Sequence, residues 1–175
     1  MKLLISSQYL FDTTPIDDNV DMDKLTPVIE AVQFLKIRPL LGTNLYNLIL
    51  SQVPDSLSVD NQVLVDDYLL PCMRNFILSD AVMVMKFRFQ NTGIMVKNTE
   101  SSTQIDTIDT PKLMDYWKNK AEEYGQVMID FIKANPTLYP TYLTNTGGDQ
   151  KSPNQSAFNV DIYLPDSFSD GLERI

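Results

Sequence analysis

The sequence predicts a mainly α protein: a helical bundle with one long spanning helix, followed by an extended C-terminal arm that contains a short β-strand. Three observations carry that expectation. Between residues 21 and 134 the apolar residues recur mostly at steps of three and four, the period of a buried helix face. The last of these runs is the longest: Leu113, Trp117, Ala121, Tyr124, Met128 and Phe131 follow one another before "NPTLYPTYL" stops the pattern. Beyond Leu143 the composition changes to the linker-like "TNTGGDQKSPNQS", and then "FNVDIYL" alternates strictly between apolar and other residues, the period of a strand. The expected division is a helical domain over 1–143 and a linker with an extended arm over 144–175.

The elements follow in order. Residues 1–20 read as a short element and a turn-rich lead-in. Asp21 or Asp23 caps a helix whose apolar face is Leu25, Val28, Ile29, Val32 and Leu35, with Pro27 placed in its first turn. "IRPLLG" should end that helix, because Pro39 disfavours helical geometry at Arg38 and Gly42 supplies a joint. Thr43 or Asn44 caps the next helix, which presents Leu45, Leu48 and Ile49 and ends at "QVPDS". From Ser58 the period is helical again through Val59, Val63, Leu64, Tyr68 and Leu69. Pro71 either kinks that helix or opens a new one. "CMRNFILSDAVMVMKFRF" is apolar on most sides, with Phe76, Ile77, Ala81, Val84 and Met85, which places it at the centre of the bundle. Its end, "VMVMKFRF", also alternates, so a strand is an alternative there. In the last helix Thr110 caps and Pro111 takes the first position, leaving Lys118, Lys120, Glu122 and Glu123 on the outer face. Residues 111 to 134 would make a rod of about 36 Å, close to the full diameter expected of such a domain.

Composition narrows the chemistry. The net charge is −9, which disfavours a broad basic face for gripping phosphate backbones. There is no histidine and a single cysteine, Cys72, so Ser-His-Asp and Cys-His nucleophiles, imidazole zinc ligation and an internal disulfide are excluded. Cys72 reads as a small buried hydrophobe. The N-terminal "MKLLISSQYLF" has too short an apolar run for a signal peptide, and no stretch approaches the ~20 apolar residues of a membrane span. The expectation is a soluble intracellular chain with no membrane partner.

No phosphate-loop, dinucleotide or nucleophile-elbow motif is present. The adjacent pairs Asp17-Asp18, Asp66-Asp67 and Glu122-Glu123 point about 100° apart on a helix and read as solvated faces. Asp80 lies in the apolar stretch and would need a partner if buried, with Arg74, Lys86 and Arg88 the candidates. Basic and aromatic residues interleave only at "MKFRF", a weak nucleic-acid signal. The sequence supports no catalytic residues, cofactor or metal. An enzyme holding a divalent metal on carboxylates would need acids clustered in one concavity. Between two helical runs lies "FQNTGIMVKNTESS", a polar loop with its own apolar insert. The strand in "FNVDIYL" has no sheet within the chain to join. It should pair with a sheet or groove on another molecule, the alternative being that it folds back on the helical domain.

Four segments in order, "TPIDDNVDMDKLTPVIEAVQFLKIRPLLGTNLYNLIL", "YLLPCMRNFILSDAV", "FQNTGIMVKNTESS" and "YWKNKAEEYGQVMIDFIKANPTLYPTY", resemble the head–tail connector (portal adaptor or neck ring) proteins of tailed phages infecting Bacteroidetes, including crAss-like phages. The resemblance covers most of residues 14 to 142. It implies a small helical virion protein at the head–tail junction, present in the host cytoplasm during assembly. Such proteins form a ring, commonly of twelve copies, beneath the portal protein. The ring extends the DNA channel, through which DNA passes without specific binding, and docks further neck or tail proteins. The resemblance brings no catalytic residues with it. On that reading Asn91, Gly93, Ile94, Met95, Val96 and Lys97 form a loop that reaches a neighbouring subunit or the channel; a surface loop ordered by its own chain is the alternative. Phe158, Val160, Ile162 and Leu164 form a partner-binding arm, although residues 144 to 175 extend past the family's pattern. The rival reading is a monomeric or dimeric phage adaptor that binds another protein through its C-terminal strand.

Overall fold

The computed structural model describes residues 2–17, 20–54, 56–90, 93–96, 109–145 and 149–150. The chain is mainly helical: α1 (Ser7–Thr13), α2 (Met22–Val32), α3 (Arg38–Gln52), α4 (Val59–Val63), α5 (Leu70–Lys86), α6 (Thr110–Ala134) and α7 (Pro140–Leu143). A two-stranded antiparallel hairpin, β1 (Phe87–Gln90) and β2 (Gly93–Val96), follows α5 directly. Side chains cap three helices, and of the two expected candidates for α2 it is Asp21 that does so. Ser6, Asp21 and Ser58 accept from the amides of Tyr9, Asp23 and Asn61 at 3.2, 3.1 and 3.3 Å.

Prolines do not end helices here. Short π segments, Gln33–Ile37 and Leu64–Leu69, join α2 to α3 and α4 to α5. Each stops two residues before a proline, Pro39 and Pro71. A helical proline cannot donate to the carbonyl four residues back, and its ring presses on that carbonyl. In both places the residue before the proline donates five residues back instead: Arg38 to the carbonyl of Gln33, Leu70 to that of Val65. The widened turn accommodates the ring and the helix runs on. Arg38 is accordingly helical (φ −55°, ψ −45°), contrary to the expectation that Pro39 ends the helix. The break falls at Gly42, whose φ of 72° and ψ of 154° interrupt α3. Pro71 neither starts a new helix nor stops one: Val59–Lys86 is continuous over 28 residues. By length and apolarity alone this helix could cross a bilayer, but its packing against α2 and α6 accounts for that composition.

The core is one cluster drawn from α1 to α7, with α5 at its centre as expected. Leu25, Ile29, Leu41, Leu45, Ile49, Leu64, Leu69, Met73 and Ile77 are fully enclosed. Cys72 is among them, and burial pushes its thiol far above the usual range. Gln33 is the core's main polar member. Its side-chain oxygen accepts the Leu4 amide at 2.8 Å, and its amide donates to the Lys2 carbonyl and the Tyr46 hydroxyl, each at 2.9 Å. One side chain thereby ties the N-terminal segment to α3.

Several positional expectations are corrected. Leu35 is 64% exposed, because the π segment adds a residue per turn and rotates it off the face that Val32 occupies. Leu48, Val59, Val63 and Val84 also face outward. Pro27 sits in the second turn of α2, where both it and Asp23 are exposed, so the carbonyl it leaves unpaired can meet water. Asp109 occupies the cap position of α6, and Thr110 is instead a buried first residue. Along α6 the buried stripe is Ala121, Glu122, Gly125, Met128, Ile129 and Ile132, turned from the expected one. Glu122 is only 5% exposed, with Lys118 at 3.9 Å, rather than on the outer face.

Replacing Gln33 with leucine would strand the Leu4 amide and the Tyr46 hydroxyl inside the protein. The expected loss is about 1–3 kcal/mol, read from a denaturant midpoint. Faster hydrogen exchange at Leu4 should accompany it, and an unchanged exchange rate there would refute the tie.

Candidate interaction surface

Apart from Thr110, the buried part of the α5–α6 pair ends at Ala81 on one helix and begins at Ala121 on the other. Residues 82–86 and 111–120 contain no buried side chain. Over this stretch the antiparallel pair stays joined by Ser79, which donates to the Met114 carbonyl at 3.0 Å, and by the Lys86 ammonium on the Thr110 hydroxyl. It forms an arm at the edge of the core, with Met85 and Trp117 still packed against it, and β1 continues from the end of α5. The arm leaves apolar surface in water: Met83, Val84 and Tyr116 are exposed, while Met85, Leu113, Met114 and Trp117 are half-buried. Lys120 lies over the rings of Tyr116 and Trp117, 4.9 and 5.4 Å from their centroids, and those rings meet edge to face at 4.9 Å. The Tyr116 hydroxyl holds the Lys120 ammonium above its ordinary pKa.

Of the loop residues singled out in the sequence, Gly93, Ile94, Met95 and Val96 form strand β2, while Asn91 and Lys97 lie outside the described residues. The apolar insert is thus a strand rather than loop. It pairs Gly93 with Gln90, Ile94 with Phe89, Met95 with Arg88 and Val96 with Phe87. The alternation of "VMVMKFRF" offered a strand as the alternative, and the structure places β1 only over its last residues, from Phe87. Among the described residues the sheet has only these two strands, so each keeps an unpaired edge. The chain therefore does contain a sheet that an added strand could extend. Phe158, Val160, Ile162 and Leu164 lie outside the described residues.

Asp80 is half-buried and faces a lysine that is not among the partners expected from the sequence. Lys36, in the π segment after α2, lowers a pKa that partial burial raises.

A second feature fixes the root of the C-terminal segment. Past the Gly42 break, α3 restarts with Thr43, whose amide has no partner within the helix. Asp149 supplies one from 106 residues away: its carboxylate accepts the Thr43 amide at 3.1 Å and the Thr43 hydroxyl as well. Arg38 donates to that hydroxyl oxygen at 3.0 and 3.2 Å, and Asn145 donates to the other Asp149 oxygen at 2.6 Å. These hydrogen bonds, Thr43 first, hold the Asp149 carboxyl below its ordinary range. Gly42 is required twice over. Its positive φ suits glycine alone, and a β-carbon there would lie 2.6 Å from Asn145 Nδ2 and 2.7 Å from Gln150 Cγ. Gln150 in turn donates to the Tyr142 carbonyl at 2.8 Å. Linker-like composition gave no hint that Asp149 caps a helix.

With this geometry in place, comparison with known proteins places the chain in a class. Residues 37–152 match the family of unknown function DUF6712, and the chain belongs to that family. The matched stretch opens in the π segment before Pro39 and closes just after Gln150, so it contains both sides of the clasp around Gly42. No curated protein and no solved structure matches the chain.

Gly42→Ala should cost about 1–3 kcal/mol through backbone strain alone and should loosen residues 145–150, seen as protease cleavage after Tyr142. Asp149→Ala should raise hydrogen exchange at the Thr43 amide while leaving helix content unchanged. The folded Asp149 pKa lies below the ordinary 3.8, so its contribution is present above that value. It is lost as the pH falls through the depressed folded value. Thr43 protection in the wild type should therefore persist at pH 4 and drop only below the ordinary carboxylate range; a drop centred above pH 4 would contradict the clasp.

Proposed function

We propose that this chain is a structural subunit of a virion head–tail junction. It assembles into a ring, commonly of twelve copies, beneath a portal protein, lines an extension of the DNA channel and carries further neck or tail proteins. It does no catalysis and holds no cofactor. DNA passes without specific binding, and no membrane is involved.

The observation that carries this reading is the arm: a two-helix projection with exposed apolar residues, ending in a hairpin with open edges. Gly93–Val96, the segment that the connector resemblance marks as reaching a neighbour, is one of its strands. Interfaces repeated around a closed ring need little strength individually, because each subunit is held by two neighbours. The C-terminal stretch with Phe158, Val160, Ile162 and Leu164 serves as a detachable strand for a portal or an adjacent subunit. The clasp at Asp149 sets where that stretch departs from the helical body.

A second reading, a monomeric or dimeric adaptor that binds another protein through the same C-terminal strand, is favoured by that clasp alone. Native mass spectrometry of the chain, alone and with the portal of its own virus, separates the two. A closed ring in either sample is the expected result, and a monomer in both would favour the adaptor. Deleting residues 92 to 99 should preserve helicity by circular dichroism and abolish assembly. Undiminished assembly of that deletion would remove the hairpin from the interface.

A further inference from the structure

The acidity of this protein is unevenly placed. Six of the fourteen basic residues, but only four of the twenty-three acidic ones, fall between residues 82 and 120. The remainder carries eight basic residues against nineteen acidic ones. Among the described residues the arm and its hairpin carry Lys86, Arg88, Lys112, Lys118 and Lys120 against Asp109 and Asp115, and are cationic beside an anionic remainder. The acids are densest over residues 12–23, where Asp12, Asp17, Asp18, Asp21 and Asp23 occur without a basic residue. That stretch borders an open groove of about 370 Å³ at the end of α1, walled by Phe11, Pro15 and Ile16 and carrying Asp12 and Asp17.

We propose that the Tyr116–Trp117–Lys120 face of the α5–α6 arm docks into the Phe11–Asp17 groove of a second copy of this chain. The proposal rests on the self-assembly reading above and names the surface that reading leaves open.

The two surfaces match in chemistry. Tyr116 is 50% exposed and braced edge to face by Trp117, a large, rigid apolar contact that loses little side-chain entropy on docking. The accessible lining of the groove is mostly polar, with Phe11 and Pro15 at its margin and Ile16 buried beneath, so charge carries the match. Lys120 sits over both rings, and Lys112, one helical turn before Tyr116, has a largely exposed side chain paired only with Asp109 at 2.9 Å. Both would meet Asp12 and Asp17, whose charge steers the approach and disfavours arm-to-arm and groove-to-groove contacts. Because the two surfaces differ, the contact is head-to-tail, and repeating it closes a ring or extends a filament. A polyanion is a poorer occupant for the arm, because Asp109 and Asp115 interrupt its basic residues.

The test uses the full-length chain in four forms: wild type, Lys112→Glu with Lys120→Glu, Asp12→Lys with Asp17→Lys, and all four changes together. Circular dichroism and thermal melting check that each is folded. Oligomer mass is followed by native mass spectrometry and by sedimentation at two ionic strengths. The wild type should associate at about 0.1 M salt and dissociate towards 1 M, where the screening length shrinks from about 10 to 3 Å. Each charge reversal alone should weaken association at least tenfold, and the combined variant should recover most of it. A wild-type oligomer that neither reversal disturbs would overturn the docking while leaving ring assembly standing. A wild type that stays monomeric at every concentration would overturn the docking and require any ring to form only on the portal. If the arm reversal instead abolishes retention of a short DNA duplex and leaves the oligomer unchanged, the arm serves a polyanion and the proposal fails.

Discussion

The close antiparallel contact of α5 with α6 is the constraint on which the rest depends. The Cys72 thiol reaches the Ala121 carbonyl at 3.3 Å, and the Ser79 hydroxyl reaches that of Met114. Side chains that short touch an opposing backbone only when two helices lie very close. Small residues at Ser79, Ala81 and Ala121 permit the approach. Once the pair is joined, α2 packs on α5, while Tyr68 from the α4–α5 helix stacks on Phe131 of α6 at 4.3 Å. The arm follows from the same contact. Among the described residues, the far ends of both helices pack mainly on each other, with Met85 and Trp117 still against the core.

The prolines show how continuity is kept through positions that usually interrupt it. At Pro39 and Pro71 one extra residue per turn removes the conflict between ring and carbonyl, and the helix continues. The cost is a shifted register, which turns Leu35 outward. The sharp change of direction is left to Gly42, the residue whose backbone can make it without a side-chain clash. Break and clasp are therefore one device. The kink exposes the Thr43 amide, and Asp149 from the far end of the helical unit satisfies it. The Gly42 kink and the placement of Asn145 and Asp149 are held by the same few hydrogen bonds.

Function is read from surfaces rather than from a pocket of converging chemistry. The proposed structural role draws on half-buried aromatic residues, on a hairpin whose edges are unpaired among the described residues, and on the basic residues of the arm. Membership of DUF6712 assigns no activity, and the structural reading rests on how the arm, the groove and the clasp are placed.

Much was legible in the sequence because it depends on local chemistry. Asp21, one of the two expected caps, holds α2 because its side chain reaches an amide two residues on, and the all-round apolarity of "CMRNFILSDAVMVMKFRF" marked α5 as central. The length of α6 could be read from its apolar repeat. The periodicity also suggested which face of α6 is buried, but the face is settled by where α5 lies: Glu122 goes inside and Tyr124 outside because of that neighbour. Two further points belong to the tertiary structure alone. Whether a proline ends a helix depends on whether packing repays a widened turn, and an aspartate in a linker-like stretch becomes a cap only when the fold carries it across 106 residues to Thr43. Local periodicity and capping chemistry are properties of neighbours along the chain, and the sequence by itself determined them. Register, burial and long-range capping depend on neighbours in space, and only the folded chain decided those.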